Sequence, residues 1–235
     1  MRIPLVLALL CAASASAQSV TDPSRISAGS DSLSVYFVDG ADTAHTGTIT
    51  DEISFIELNG RRVIQRVYRT QDRVLGPMLD SIVDDASNLA PVSFRGRTSR
   101  NIALVAFTRD SALGSVRLAN GDSATVAEAI SRPTINAATF DLWLRSAPLR
   151  EGWADDVRAF DPTERSTLVL HARVAGSDVV GRDDCWRVLA DFGGTPVTFW
   201  IAKGSHALRQ QLMQLRPNQA ILFTAVPIPA VHRAT

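Results

Sequence analysis

Two runs of alternating residues, ISFIEL and RRVIQRVYR, meet at Asn59-Gly60. That pair constrains the fold more than any other feature of the chain. Asn and Gly both accept positive φ, so together they form a tight turn whose twist matches that of the strands it joins. The dipeptide returns at Asn120-Gly121 inside SVRLANGDSATV. Elsewhere the period is again two. SLSVYFV places Leu33, Val35 and Phe37 on one face, and STLVLHARVAG aligns Leu168, Leu170 and Val174. CWRVLAD, VTFWIA, ALRQQLMQL and QAILFTAV add further strands. NIALVAF is apolar on both faces and is expected at a central or covered position. Many short strands separated by turn residues argue an antiparallel meander of mainly β class.

Helix is scarce. NAATFDLWLRSAP predicts one, with Asn136 as N-cap, Phe140, Trp143, Leu144 and Ala147 on one stripe, and Pro148 as the stop. PMLDSIVDDASNLAP reads two ways. Met78, Leu79, Ile82, Val83, Ala86 and Leu89 fit a helical face, whereas Ile82 and Val83 between aspartates fit a strand and turn.

The compartment is read from residues 1–17, MRIPLVLALLCAASASA. One basic residue, Arg2, precedes a short apolar run and then small residues, which is the plan of a secretory signal peptide. Cleavage is expected after Ala17, with Ala15 and Ala17 at the small-residue positions. Cys11 suggests a competing lipoprotein signal, but the residue before it, Leu10, is not small. No stretch of the expected mature chain approaches the roughly 20 apolar residues of a transmembrane helix. The expected location is the periplasm or the exterior. Residues 18–32 read as a flexible lead-in, 33–226 as one domain, and 227–235 as an extended tail. Losing Arg2 leaves 23 basic against 24 acidic residues. So balanced a charge predicts no electrostatic grip on nucleic acid or anionic lipid.

The expectation is a protein without catalysis or cofactor. Lys203, Ser205 and His206 are nearly consecutive in VTFWIAKGSHALRQQLMQL. A nucleophile needs its base and an orienting group to converge on it, and neighbours in a polar turn between strands need not do so. Neither Ser-x-x-Lys nor Gly-x-Ser-x-Gly occurs. His45, His171, His206 and His232 are far apart and lack metal-ligand spacing. The acid groups Asp80/Asp84/Asp85, Asp155/Asp156 and Asp183/Asp184 lie next to expected strand ends and read as solvated turns. A hydrolase would need His171 or His206 within reach of Asp183, Asp184 or a serine inside a pocket. Cys185, the lone cysteine of the expected mature chain, reads as a buried small hydrophobe.

Aromatic placement says more. Trp186 and Trp200 lie on late strands that are bulky on both faces. A sheet wet on one face should alternate with polar residues, so the second face is expected to be covered by a helix, by barrel closure or by a ligand. Phe140, Trp143, Trp186, Phe199 and Trp200 are therefore the candidate wall of an apolar-ligand groove.

The words LWLRSAPLREGW, VAGSDVVGRDDCWRVLAD, VTFWIAKGSHALRQQLMQL and QAILFTAV resemble the C-terminal half of a secreted bacterial family of unknown function. That family is similar to the periplasmic LolA/LolB-like lipoprotein carriers. DSIVDDASNLAPVSF resembles the family's strand, Asp turn and following strand, which favours strands over a helix at residues 78–89. The resemblance implies a strongly curved, unclosed antiparallel β-barrel with a helix across its concave face. In the carriers that face holds acyl chains. The carriers' distinguishing arginine and cargo-delivering loop are not recognisable in this chain. The partners implied are a lipid or a lipoprotein. The alternative is a structural or assembly protein with a self-filled core and an envelope partner docked on a sheet edge.

Overall fold

The computed structural model describes residues 21–225. The expected signal peptide with Cys11 and its cleavage site, His232 and the tail 227–235 lie outside the described residues.

The first eight strands run in chain order: β1 (Gly29–Asp39), β2 (Asp42–Leu58), β3 (Arg61–Asp72), β4 (Met78–Asp85), β5 (Pro91–Thr98), β6 (Asn101–Phe107), β7 (Ser111–Leu118) and β8 (Ser123–Ala129). A two-residue strand, β9 (Ile135–Asn136), leads into the helix α1 (Phe140–Ser146). Six strands complete the chain: β10 (Ala154–Asp161), β11 (Ser166–Val180), β12 (Asp183–Phe192), β13 (Thr195–Ala202), β14 (Leu208–Arg216) and β15 (Gln219–Thr224).

All fifteen strands form one sheet, ordered from β8 down to β1, then from β15 down to β9. The last strand pairs with the first, Val35 opposite Phe223 and Phe37 opposite Ile221, so two meandering arms spread from a central seam. Leu33, Val35, Ile49, Ile221 and Phe223 pack there. The outer edges, β8 and β9, exchange no ladder with each other, and the sheet is not closed. Side chains bridge the gap instead. Phe160 of β10 packs edge-on against Phe107 of β6, with ring centroids 5.6 Å apart, in a cluster with Val105, Val126 and Ile130.

Local chemistry accounts for most of the turns. Asn59 (φ 52°) and Gly60 (φ 74°) form the expected hairpin, with Leu58 directly opposite Arg61. At Asn120-Gly121 only the glycine is left-handed. The loop is wider there, closed by Leu118 N–H donating to the Asp122 carbonyl at 2.8 Å. Residues 78–89 are strand and turn, as the resemblance implied: β4 ends at Asp85, whose carboxylate accepts the Ser87 N–H at 2.8 Å.

The helix begins as expected, with the Asn136 side chain accepting from the Ala138 N–H, but as a 3₁₀ turn that becomes α-helical at Phe140. Its packing is not the expected single stripe. Every residue from Phe140 to Ser146 is buried, because the curled sheet surrounds it. Phe140, Leu142, Trp143 and Leu144 meet Ile64 of β3, Val157 of β10, Leu170 of β11, Val188 of β12 and Phe199 of β13. Each such large apolar side chain contributes about 1.5–3 kcal/mol when fully buried.

The expected flexible lead-in is, from Asp22 on, part of this packing. Asp22 N–H donates to the Ser146 carbonyl at 2.8 Å and Arg25 Nη1 to the Ala147 carbonyl at 2.9 Å. They satisfy carbonyls that a helix end otherwise leaves unpaired. Ile26 enters the main core, and β1 already starts at Gly29. Two further expectations fail for one reason, a sheet with a single layer over most of its outer face. In β6, Ala103 and Val105 point inward while Leu104 is 46% exposed, so NIALVAF is not covered on both sides. In β12 and β13, among the described residues, the second face is shielded by side chains of the same sheet. Trp200, Val180, Cys185 and Ala202 form a small cluster of their own.

Candidate functional site: a charged cavity beside the helix

Arg66 is the centre of the interior. On β3 it shares the inward phase with Ile64, and burial leaves it 3% exposed. A charge so placed needs partners, since an unpaired buried ion is strongly unfavourable. Its Nε and Nη2 donate to the two oxygens of Asp51 on β2, both at 2.8 Å. Nη1 and Nη2 donate to the Asp141 carboxylate of α1 at 2.6 and 3.1 Å. Nη1 also reaches the Ala138 carbonyl at 3.3 Å. All five guanidinium donors are thus occupied. Burial disfavours the charge on Arg66, but Asp141 and Asp51 outweigh it and hold the group well above its ordinary range.

Beyond this clamp lie Asp80 and Asp84 of β4. The period-two register that points Ile82 inward carries both acids inward with it, so they are not the solvated turn residues expected. Asp85 alone takes that role. Burial pushes Asp84 up to about 7, against the opposing influence of Thr139 and Arg66. One of its oxygens, Oδ1, accepts no hydrogen bond. Burial pushes Asp80 to about 6, with Arg66 pulling down and Asp161 adding to the rise. The Tyr68 hydroxyl is raised by burial, and its ring lies 5.1 Å from the Arg66 guanidinium. Arg145 of α1 is buried too. Its Nε donates to the His206 carbonyl at 3.0 Å, and burial lowers its pKa against the pull of Asp141.

Between this cluster and the opposite arm of the sheet lies a cavity of about 210 Å³. Its lining mixes polar groups, Arg66, Tyr68, Asp80, Asp141 and Gln211, with apolar ones, Met78, Ile82, Phe140, Phe192, Phe199 and Leu208. Phe140 stands edge-on to Phe192 at 4.9 Å and tilted against Phe199 at 5.7 Å. The arrangement can hold a small molecule with an apolar and a polar part.

Of the five expected groove residues, Phe140 and Phe199 line this cavity. Trp143 stands behind it, stacked on Phe140 at 5.4 Å and deep in the core. Trp186 packs at the core's margin beneath Lys203, whose Nζ is 4.2 Å from the ring centroid. Trp200 projects from the opposite face of β13 to Phe199, where its Nε1 donates to Asp178 at 2.8 Å. The five residues do not form one wall. Sequence reasoning passed over Arg66 and Asp141 and read Asp80 and Asp84 as solvated turn residues; their signal becomes readable only once the strand phase is fixed. Each is a charged residue at an inward-phase position of a strand, or within the helix that the sheet must enclose.

The other polar candidates stay apart. Lys203 pairs with Asp184 at 2.9 Å and Arg209 with Asp183 at 2.8 Å at the turn beside them. Residues 203–205 form the plain turn between β13 and β14. His171 pairs with Asp156 at 2.7 Å on an open surface, both side chains more than half exposed. His45 packs against Tyr36 at 5.2 Å. Burial lowers the His206 imidazole, which lies far from these pairs in role, its backbone carbonyl serving Arg145. Cys185 is fully buried, and burial first, then Asp183, raises its thiol. Among the described residues no three His, Cys, Asp or Glu side chains are grouped to hold a metal ion.

A single sheet, antiparallel except where β9 joins β10, curled around a short helix but left open between its edge strands, defines a β-barrel-like protein. This chain belongs to the family described as "Protein of unknown function (DUF3108)", whose model matches residues 34–216. Among solved structures it is similar to a beta-barrel-like protein of domain of unknown function DUF1849 from Brucella abortus. The two are 12% identical with a TM-score of 0.50, over 83% of this chain and 94% of the other, which is a likeness of fold. No curated protein matches the chain.

Proposed function

We propose that the chain is an exported envelope protein of LolA/LolB-like type that binds a lipid, a lipoprotein or another molecule with an apolar part, and carries out no catalysis. The observation that carries this reading is the cavity beside α1, lined in part by Phe140, Phe192, Phe199 and Leu208. Apolar area withdrawn from water is worth about 25 cal/mol per Å², so even a partly filled cavity supplies useful affinity once ordering costs are met. The open edge between β8 and β9 fits it as well. No ladder closes it, and the edges are held by side-chain packing and by the chain segment 130–134. Residues 1–17 support export.

A structural or assembly role is the second reading. It is favoured by how completely α1 and its aromatic neighbours fill the interior. One experiment separates the two. The protein is purified from its producing cells and extracted with organic solvent for mass spectrometry, and its tryptophan emission is followed as a medium-chain alcohol is added. Trp143, stacked on Phe140, should report occupancy. Ligand binding predicts a co-purifying molecule, or an emission shift that Phe199→Glu abolishes. An empty extract with unchanged emission leaves the structural role standing.

A further inference from the structure

The charged groups that line the cavity differ in how far their hydrogen-bonding capacity is already used. Arg66, the cation on its wall, has no donor left, because all five are held by Asp51, Asp141 and the Ala138 carbonyl. An anionic head group would find no free cationic donor there. Asp80 is in the opposite condition. It lines the cavity and is 9% exposed. No described side chain or backbone N–H donates to its carboxylate, and Arg66 acts on it only through space. The interior as a whole is richer in acid than in base: Asp51, Asp80, Asp84 and Asp141 stand against Arg66 and Arg145. A desolvated carboxylate in such surroundings gains most from a cation brought to it. Phe140, Phe192 and Phe199 border the same space. Aromatic faces attract ammonium groups that have left water.

We propose that this cavity binds an organic ammonium ion, its nitrogen against Asp80 and its hydrocarbon against Phe140, Phe192 and Phe199. The proposal rests on the ligand-binding reading above and names the class of molecule. At roughly 30 Å³ per water-sized group, 210 Å³ holds about seven such groups, which is the size of a six-carbon primary amine. Gln211 is placed on the wall to accept a second ammonium hydrogen through its side-chain carbonyl.

The test is a charge series at constant length: hexylammonium, hexanol and hexanoate titrated calorimetrically into the full protein at about pH 8, where Asp80 is ionised. Hexylammonium should bind at least about tenfold more tightly than either of the others, the product of an ion-paired hydrogen bond and the aromatic contacts. Asp80→Asn, confirmed as folded by circular dichroism, should bring hexylammonium to within about twofold of hexanol. Hexanol or hexanoate binding as tightly as hexylammonium overturns the ammonium assignment and leaves the apolar-ligand reading intact. Binding of none of the three overturns both. The series on the unaltered protein decides the matter even where the variant is unstable.

Discussion

Asp84→Asn should make this protein more stable at alkaline pH and leave it nearly unchanged below about pH 4. Asp84 is 1% exposed on β4, and burial raises it from 3.8 to about 7 despite Thr139 and Arg66. The groups that face it are those two and Asp141. A folded-state value above the unfolded one means that the native state holds the proton more tightly. The stabilisation so gained is complete below about pH 4 and is lost as pH rises through about 7. A shift of about three units at 1.36 kcal/mol each is worth about 4 kcal/mol, and that is the cost of an ionised Asp84 at about pH 8.5. Asparagine keeps the shape without the charge. Urea denaturation of both proteins from about pH 3.5 to 8.5 should give curves that nearly meet at the acid end and separate by up to about 4 kcal/mol at the alkaline end. Two parallel pH profiles would refute the reasoning, since the penalty would then not lie in Asp84 ionisation.

Removing the clamp should have the opposite sign. Arg66→Met strands Asp51 and Asp141 in the interior and should cost about 3–5 kcal/mol by the same denaturation assay. The triple change with Asp51→Leu and Asp141→Leu should recover most of that loss, because well-packed apolar groups replace a buried ion network at little cost. Cys185 is a thiol with raised pKa and no exposed surface. Its reaction with a disulfide reagent in the native protein should be at least about tenfold slower than in urea, followed by absorbance. A native rate equal to the unfolded one would contradict its burial.

Much of the fold is legible in the chain because strand periodicity and turn chemistry are local. The Asn59-Gly60 hairpin needs only two residues that tolerate positive φ, and β1, β11 and β13 follow from simple alternation. The site was less legible, and the particular failures share a cause. Asp80 and Asp84 resemble turn residues until β4 is paired on both sides and its inward phase is known. Trp200 resembles groove lining until the register places Phe199, and not Trp200, on the concave face. α1 carries an amphipathic stripe in its sequence, yet its Asp141 and Arg145 are buried because partners arrive from β3 and from residue 206.

What the chain's order of residues determined alone is the set of strands, their turns, the start of the one helix and the antiparallel meander, since each depends on neighbours a few positions away. What only the tertiary structure decided is where charge could be buried. The folding of β15 onto β1 curls one sheet into two facing arms. That curl brings Asp141 of α1 onto Arg66, 75 positions away in the chain, whereas the β2–β3 hairpin register already sets Asp51 beside it. Ion pairs of that separation leave no local pattern, because their energy depends on distance in space and on the exclusion of water.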